Sequence, residues 1–452
     1  MPRVVYIAAM AELADLGVVE AGRALERGDA SSVELVSACL ARIAERDGVH
    51  SFDGDATSIN AWVRVYEEDA LAAARAADER RAAGSVGLLC GVPIALKDLY
   101  AAAGRPLTAS SRVLDEVPER DADAWARLRG AGMVLLGHVH THEFAAGGTT
   151  DQVGNPWALE RSAGGSSGGS AAALASRTTP AATGTDTAGS LRIPSAMCGT
   201  STIKPTRALV PIRGIVPLGP TLDHAGPMAR SVADCEPLLA AMAAVAPPAD
   251  RAPLRRVALS PRIAELDPDV AENLDRALAL LPLVDVPLPA VDLDVSGPSF
   301  DVLCAGMLAY HRRFDDRREL YRPSIRGFLE HAERRSLSGE EYAGAQLRRE
   351  VDTDAWLDWF VEHRLDAVVE PTLPIVARLR GDGYAEPFTD FAEVSLTHYW
   401  NWTGFPVVAL PSGLGTRSGL PTSVSLVGRP GSDWNLLAAG AALQAELGTV
   451  TP

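Results

Sequence analysis

The feature that most constrains this chain is a dense run of small residues inside an otherwise apolar sequence. Residues 162–170 read SAGGSSGGS, and residues 184–190 read GTDTAGS. By composition alone the first run resembles a flexible Gly/Ser linker. Both runs, however, continue directly into apolar segments, with no charged or proline-rich tract to mark a domain boundary. We therefore expect folded backbone that closely approaches another strand, a phosphate or a reacting carbonyl.

The composition predicts a globular chain that buries a large core and does not bind polyanions. Of the 452 residues, 47% are hydrophobic and 22% are charged, which is typical of a globular protein. The formal net charge of −16 disfavours binding to nucleic acid or to an anionic membrane. No segment approaches the roughly 18 apolar residues of a membrane helix.

Localisation is predicted from the N-terminus and the cysteines. The short apolar run at the start of the chain meets Glu12 too soon for a secretory signal. The five cysteines are scattered and lack the CxxC spacing of metal or redox sites. We therefore expect a reduced, cytoplasmic protein.

Helical and strand patterns alternate along the chain. Ser31 and Glu34 have the spacing of a capping box at the start of a helix. Helices are expected at 31–46, 66–83, 170–176 and 434–446, and buried strands at 88–96, 132–137, 202–203, 257–259 and 365–372, with two or three more within 407–428. This order predicts a layered α/β protein with a parallel or mixed sheet. A polar, arginine-rich helical insert at about 300–364 separates the strands, so one interrupted domain is favoured over several.

Phosphate binding by the glycine-rich runs is disfavoured. The chain has neither a GxxxxGK[ST] loop nor a GxGxxG fingerprint at these positions. Residues 164–168 formally match the G-x-S-x-G nucleophile elbow, but the apolar strand that this motif requires does not precede them. The match is weak.

Three alternating histidines offer a second chemistry. His138, His140 and His142 follow a strand-like segment, and alternate residues on a strand can face one metal ion. This pattern keeps a metal-dependent amidohydrolase open as a rival class. A polar strand end with solvated or hydrogen-bonded histidines is the favoured interpretation.

Lys97 is the strongest candidate for acid–base chemistry. Only two of the 42 basic residues are lysines, Lys97 and Lys204, so arginine supplies positive charge almost everywhere. Lys97 ends an apolar, strand-like run, where burial would lower its pKa. Lowering it from about 10.4 to near 7 corresponds to roughly 4–5 kcal/mol, within the range that burial supplies. A Ser–Lys pair is a recognised alternative to Ser–His–Asp. Small residues before Ser190 leave backbone N–H groups free to reach an oxyanion.

Several motifs together resemble the amidase signature family. They are residues 91–98 (GVPIALKD), 164–173 (GGSSGGSAAA), 184–194 (GTDTAGSLRIP) and 204–206 (KPT), with further agreement at 155–157, 222–227, 419–421 and 428–430. Ser166 and Ser190 lie 24 positions apart, which is the spacing of that family. The resemblance spans roughly residues 30–445 and is weakest from about 235 to 365.

The resemblance implies a fold and a set of site residues. The fold is one α/β/α domain over residues 1–452, with a large twisted mixed sheet and N-terminal helices within about 10–85. Ser190 is implied as the acylated nucleophile, Ser166 as a proton relay that follows a cis peptide bond, and Lys97 as the neutral general base. The remaining implied residues supply backbone around the acyl group and its oxyanion: Thr187, Ala188, Gly189 and Ala145, together with the N–H of Ser190.

The chain departs from the family pattern at two places. Ala188-Gly189 stands where the family most often has two glycines, and His138-Val139-His140 stands where it usually has Lys-Thr-Asn. The first change bears on the oxyanion loop and the second on hydrogen bonding beside the site. Lys204 lies in the Lys-Pro-Thr turn and is interpreted as structural.

The predicted function is hydrolysis of C–N bonds in amides, extended to esters, anilides and carbamates (urethanes), without metal or cofactor. The expected partner is a small-molecule amide or carbamate, with no nucleic acid or membrane, and the oligomeric state (monomer or homodimer) is open. The insert at 300–364, with Tyr399 and Trp400, is expected to shape the pocket. Two alternatives stay open: the glutaminase (A) subunit of a tRNA-dependent amidotransferase, and the metal-dependent amidohydrolase using His138, His140 and His142.

Overall fold

A mixed β-sheet occupies the centre of the molecule in the computed structural model, which describes residues 12–84, 86–263, 265–381 and 391–452. The strands of this sheet are β1 (Trp62–Val65), β2 (Pro93–Lys97), β3 (Val134–Val139), β6 (Ala181–Asp186), β7 (Ser201–Lys204), β8 (His224–Ala229), β9 (Val257–Leu259), β10 (Ala367–Pro371), β11 (Val407–Leu414) and β12 (Pro421–Val427). Two further strands, β4 (Gly154–Asn155) and β5 (Ala158–Ser162), form a separate antiparallel pair.

The strand order explains how distant motifs meet. Among the described residues the sheet has ten strands, in the order β1-β3-β2-β6-β8-β7-β11-β12-β10-β9. Strand β2 is parallel to both β3 and β6, whereas β6, β8, β7, β11, β12 and β10 follow one another antiparallel. Lys97 at the end of β2 therefore lies beside the strand that leads into residues 184–190. The mixed α/β architecture predicted from the sequence is confirmed.

Helices cover both faces of the sheet. In the described ranges they are α1 (Val18–Arg27), α2 (Ser32–Arg46), α3 (Glu67–Ala83), α4 (Asp123–Gly130), α5 (Gly168–Ala175), α6 (Arg192–Cys198), α7 (Val232–Ala243), α8 (Pro268–Leu278), α9 (Ser296–His311), α10 (Pro323–Arg335), α11 (Gly339–Glu362), α12 (Phe391–Val394), α13 (Tyr399–Thr403) and α14 (Asp433–Leu447). Short 3₁₀ segments lie at Glu143–Ala145 and Arg312–Leu320. Because helices lie on both faces, β2, β6, β8 and β12 are buried along their whole length.

Local sequence signals account for several of these elements. The predicted capping box is present at α2, where Ser31 Oγ accepts from Glu34 N at 3.1 Å and Glu34 Oε2 accepts from Ser31 N at 2.8 Å. The segment predicted to hold N-terminal helices contains α1, α2 and α3, but it also supplies the edge strand β1. Residues 10, 11 and 85 of that prediction, and the terminal run considered for a secretory signal, lie outside the described residues.

The helical insert is present as α9, α10 and α11, between strands β9 and β10, which pair in parallel. The chain thus leaves the sheet and returns to the neighbouring position. Assignment of the whole chain to one domain stays a prediction. Within the described parts of the chain, every helix is too short or too polar to cross a membrane.

Candidate active site

Lys97 lies at the end of β2 with its amine enclosed by hydroxyl groups. Its Nζ is 2.7 Å from Ser166 Oγ, 2.8 Å from Ser167 Oγ and 2.8 Å from Thr185 Oγ1. The side chain is fully buried. Its backbone N–H donates to Thr183 Oγ1 at 3.1 Å, so Thr183 and Thr185 face β2 from alternate positions of β6. The lysine is therefore fixed at both ends by one neighbouring strand.

The surroundings of Lys97 favour a neutral amine. Burial lowers its pKa well below the ordinary value, while the more distant carboxylates of Asp186 and Asp223 oppose that shift. Ser167 Oγ donates to the carbonyl oxygen of Thr185 at 3.3 Å, so towards Lys97 it acts as an acceptor. A neutral amine has two N–H donors and one lone pair, whereas an ammonium has three donors. Rotation of the Ser166 hydroxyl thus lets the same three oxygens satisfy either form.

Ser166 is held by the glycine-rich run that precedes α5. The peptide bond between Gly165 and Ser166 is cis, as the family resemblance implied. The Ser166 carbonyl accepts from His142 N at 2.9 Å and from Thr150 Oγ1 at 3.2 Å. A Cβ at Gly165 would lie 2.0 Å from the carbonyl oxygen of Thr149, so this position has room only for glycine.

Ser190 follows a tight loop between β6 and α6. It is 6% exposed, whereas Lys97 and Ser166 are both 0% exposed, so Ser190 lies nearest to solvent. Its carbonyl accepts from Ser167 N at 3.3 Å, which ties the two serine segments together. Gly189 has φ 141°, and a Cβ there would lie 2.3 Å from Thr397 Oγ1. Only glycine fits this position.

The loop before Ser190 is oriented by Thr397, which donates its hydroxyl to the Ala188 carbonyl at 2.5 Å. A trans peptide directs its C=O and N–H to opposite sides, so the N–H of Gly189 points away from Thr397. The Ala188 methyl replaces a family glycine without disturbing this contact. The loop therefore has a fixed backbone orientation before any substrate arrives.

Two buried carboxylates anchor the same loop, and sequence reasoning did not identify either. Asp186 accepts from Arg192 Nε and Nη2, both at 2.9 Å, and from Asn401 Nδ2 at 2.8 Å. Burial raises the pKa of Asp186, but Arg192 outweighs it and holds that pKa well below the ordinary value. The six-residue spacing of Asp186 and Arg192 within the 184–194 motif was the available signal.

Among the described residues, no lysine or arginine lies within ion-pair distance of Asp223. Its Oδ1 accepts from Thr187 Oγ1 at 2.6 Å and from Gly219 N at 3.1 Å, and its Oδ2 accepts from Leu218 N at 3.1 Å. Burial raises the pKa of this carboxyl above its ordinary value, and these hydrogen bonds oppose the rise. Asp223 therefore fixes Thr187 on the side of the loop that faces the cavity.

A small cavity of about 70 Å³ lies beside Thr187. Its walls are mostly apolar and come from one loop together with the implied site residues: Ala145, Thr185, Thr187, Ile212, Ile215, Val216, Pro217, Leu218, Asp223 and His224. Ala145 and Thr187, implied separately by the resemblance, line this one space. The cavity can hold a small group next to a carbonyl positioned at the Ser190 loop.

The helical insert reaches this cavity indirectly, through the Glu143–Ala145 turn. Phe144 and Ala145 have φ values of 52° and 62°. Glu143 accepts from Arg322 N at 2.8 Å. The Phe144 ring packs 4.6 Å from that of His311, inside a cluster of aromatic rings completed by Tyr310, Phe314 and Tyr321. The insert thus holds the turn that presents Ala145.

Tyr399 and Trp400 do not line the described cavity, contrary to the expectation that they would shape it. Both are fully buried. Tyr399 OH accepts from Trp356 Nε1 at 2.9 Å, and Trp400 Nε1 donates to Glu370 at 2.5 Å. Large aromatic side chains on a short helix reach the core and not the site. The next residue, Asn401, is the one that contacts Asp186.

The three alternating histidines are held apart by different partners. His138 Nδ1 is 2.8 Å from Tyr66 OH, His140 Nδ1 is 3.1 Å from Ser110 Oγ, and His142 Nδ1 is 2.8 Å from the Thr149 carbonyl. In the described part of the chain, no three His, Cys, Asp or Glu side chains are grouped as a metal ligand set. The alternation therefore does not converge on one point, and the departure from Lys-Thr-Asn serves local hydrogen bonding.

Comparison with known proteins agrees with this geometry. The model of the amidase family matches residues 34–437. The glutamyl-tRNA(Gln) amidotransferase (A) subunit of Roseiflexus castenholzii (strain DSM 13941 / HLO8) is 35% identical, over 96% of this chain and 96% of the relative. A solved amidase crystal structure has a TM-score of 0.84 and 29% identity, covering 96% of this chain and 100% of that one.

A second solved structure has a TM-score of 0.86 and 29% identity and covers 96% of this chain and 99% of that one. It is reported as an unexpected vestigial protein complex that reveals the evolutionary origins of an s-triazine catabolic enzyme. The family match, the relative and the structures extend over nearly the whole chain, including the Lys97 strand and both serine segments. The chain belongs to the amidase signature family of amide hydrolases.

Proposed function

We propose that this protein hydrolyses small amides through an acyl-enzyme on Ser190, with Ser166 as the proton relay and Lys97 as the general base. The observation that carries the proposal is the position of Lys97 Nζ, 2.7 Å from Ser166 Oγ in a fully buried site. Burial lowers the pKa of this amine well below its ordinary value, which favours the neutral form that a general base requires. Neither metal nor cofactor is part of the proposed reaction.

In the first half-reaction, Ser190 Oγ bonds to the amide carbonyl carbon. Its proton passes to Ser166 Oγ as the Ser166 proton passes to Lys97 Nζ. The negative charge on the carbonyl oxygen is stabilised by the backbone N–H groups of Thr187, Ala188, Gly189 and Ser190, which are already oriented. Cleavage of the C–N bond releases the amine, which takes its proton back through Ser166.

In the second half-reaction, water attacks the Ser190 ester and gives its proton to the same relay. Collapse releases the acid and restores the serine hydroxyl. A carbamate follows the same two half-reactions with its alkoxy or aryloxy group as the leaving group: C–O cleavage releases the alcohol, water hydrolyses the carbamoyl ester of Ser190, and the carbamic acid product loses CO2. Esters and anilides differ only in the leaving group. We further propose a cytoplasmic location, supported by five cysteines that are all buried and unpaired.

The cavity beside Thr187 favours a small apolar group next to the reacting carbonyl. Its wall is mainly aliphatic, and Asp223 is its one charged residue among those described. Free glutamine carries a carboxylate that needs a cationic or N–H-rich partner. The lining residues offer no arginine or lysine. Short aliphatic amides therefore suit this cavity better than glutamine does.

Ser190→Ala tests the proposal. We expect turnover of a panel of aliphatic amides, anilides and aryl carbamates to fall to background, and labelling by a fluorophosphonate to disappear. Ser176→Ala is the matched control, because Ser176 is also buried but its hydroxyl contacts only helix carbonyls and Thr178 at the end of α5. Retained turnover in Ser190→Ala would remove the acyl-enzyme from consideration.

A glutaminase subunit is the second candidate, and the name of the 35% identical relative favours it. The two candidates differ in one measurement, ammonia release from glutamine by the purified chain. We expect propionamide or butyramide to be hydrolysed with at least tenfold higher kcat/KM than glutamine. If glutamine were hydrolysed faster than every simple amide tested, the result would support the glutaminase instead.

A further inference from the structure

A second polar cluster lies away from the Lys97 site, between α11 and the segment that follows β7. Arg349 is only 4% exposed, and it donates from Nε to the Trp402 carbonyl at 2.6 Å and from Nη2 to the Thr221 carbonyl at 2.6 Å. Arg207 Nη2 donates to the same Trp402 carbonyl oxygen at 2.6 Å. Two guanidinium groups therefore meet at a single oxygen atom.

Neither of these arginines has a carboxylate partner within ion-pair distance in the described part of the chain. Buried Arg192 differs, since Asp186 neutralises it at 2.9 Å. Burial lowers the pKa of Arg349 to about 9 and that of Arg207 to about 10, so both remain charged at pH 7. Two adjacent, partly desolvated positive charges repel each other and favour an anion between them.

The cluster also has hydrogen-bond donors without acceptors. Arg207 Nε and Gln346 Nε2 are buried, and neither has a partner among the residues that the structure describes. The Gln346 Oε1 atom accepts from Arg349 Nη1 at 3.2 Å, which leaves its amide N–H groups as the free end. A Cβ at Gly404 would lie 2.7 Å from Arg207 Nη2, so a glycine is needed for Arg207 to occupy this position.

A cavity of about 300 Å³ opens beside these donors. It is lined by Arg207, Gln346, Arg349 and Thr353, with the exposed carboxylates of Glu350 and Asp354 also on its wall. A water molecule takes about 30 Å³, so the space is large enough to admit an anion the size of phosphate or a short carboxylate. These two carboxylates add negative charge to the same wall, which opposes a highly charged polyanion such as nucleic acid more than a small anion.

We propose that this cluster binds a small oxoanion, either a carboxylate or inorganic phosphate, between Arg207, Arg349 and the amide of Gln346. Planar guanidinium groups bind such anions through paired N–H···O bonds. The bound anion would also hold the Trp402 and Thr221 carbonyls in place. Trp402 follows Asn401, the partner of Asp186, and Thr221 precedes Asp223 by two positions. This inference does not depend on the proposed reaction.

The test is equilibrium binding of phosphate, acetate and malonate to the purified protein at constant ionic strength. We expect saturable binding of at least one anion below about 10 mM, accompanied by a rise in Tm. Arg207→Gln should weaken that binding at least tenfold. Arg334→Gln removes an equally charged but exposed arginine, paired only loosely with Glu330 at 3.9 Å, and should bind as the wild type does.

Preference for phosphate or for a carboxylate identifies which source supplies the anion, and either result supports the site. Where Arg207→Gln fails to fold, Gln346→Met removes the amide donors at a helix position and should weaken binding several-fold. The inference fails if no anion binds saturably up to about 50 mM. It also fails if folded Arg207→Gln or Gln346→Met binds as tightly as Arg334→Gln.

Discussion

The two lysines of this chain occupy equally buried sites that differ in what surrounds the amine. Both side chains are 0% exposed. Burial lowers the pKa of Lys97 and of Lys204 well below the ordinary value, and nearby Arg192 lowers that of Lys204 further. Lys97 Nζ contacts three hydroxyl groups. Lys204 Nζ makes its hydrogen bond, within the described chain, to the Pro205 carbonyl at 3.2 Å.

This difference shows that burial and a lowered pKa do not by themselves make a general base. A hydroxyl both accepts and donates a proton, so Ser166 can connect Lys97 to a second serine. A backbone carbonyl only accepts, so a proton on Lys204 has no path to a substrate through Pro205. Lys97 lies at the end of β2, next to the glycine-rich run, whereas Lys204 ends β7 inside the core. The hydrogen-bond partners of each amine, and not the rarity of lysine in the chain, distinguish the proposed catalytic role of Lys97 from the structural role of Lys204.

The largest expected difference between the two lysines is in kcat, measured after each lysine is replaced in turn. Lys97→Met and Lys97→Arg should each lower kcat by about 10²–10⁴-fold, because methionine has no base and arginine does not lose its proton near neutral pH. Lys204→Met, the matched control for a buried lysine, should lower kcat less than tenfold. Steady-state kinetics on the best amide substrate measures all three.

Two outcomes would break the comparison between the lysines. Activity in Lys97→Arg within tenfold of wild type would show that proton transfer does not require this amine. A loss in Lys204→Met as large as in Lys97→Met, with the protein still folded by circular dichroism, would assign Lys204 a role beyond structure.

Much of the fold was predictable because its signals are local. The capping box of Ser31 and Glu34 predicted α2, and the apolar runs predicted β2 and β3. Strands β6 and β8 were not predicted, because their small residues, such as Thr183, Gly184 and Gly226, show no alternation or β-branched enrichment. They are strands because neighbours on both sides supply the backbone hydrogen bonds, which is a property of the sheet and not of the segment.

In the candidate site, too, some residues could be identified from local sequence motifs and others could not. Lys97, Ser166 and Ser190 were identified from motif residues, and their catalytic roles stay predictions. Ser167 and Thr185 were missed as partners of Lys97, although Thr183 and Thr185 alternate on one strand, which was the available signal. Asp223 and Asn401 could not be assigned, because they meet Thr187 and Asp186 only through the strand order and the docking of α13.

The next largest effect is on the pH dependence of the free energy of unfolding, to which the two lysines should contribute alike. Both are protonated in the unfolded chain below about pH 10.4, whereas their lowered native pKa makes folding release a proton. The free energy of unfolding therefore rises with pH, from the lowered pKa up to about 10.4, by roughly 1.4 kcal/mol per pH unit for each lysine. Above that range the contribution is constant.

Urea unfolding at a series of pH values up to about 9.5 measures this slope and the lowered pKa at which it begins. Lys97→Met and Lys204→Met should each reduce it by roughly 1.4 kcal/mol per pH unit relative to wild type. Arg334→Gln serves as the control, because it changes surface charge without removing a buried amine. An unchanged slope in either lysine variant would mean that this lysine stays protonated in the folded protein.

The smallest effect is expected at Ser167, and it distinguishes this serine from Ser166 among the hydroxyl groups around Lys97. Ser167 Oγ donates to the Thr185 carbonyl, so it accepts from Lys97 and does not relay a proton. Ser167→Ala removes an acceptor that favours the ammonium form, and the pKa of Lys97 should fall further. The acid limb of the pH profile of kcat/KM should then move to lower pH, with kcat reduced less than tenfold.

Ser166→Ala should instead lower kcat by about 10² or more, without a simple shift of that pH profile. Equal losses of less than tenfold in the two variants, with unshifted limbs, would show that both serine hydroxyls act only as packing around the amine, as Pro205 does around Lys204.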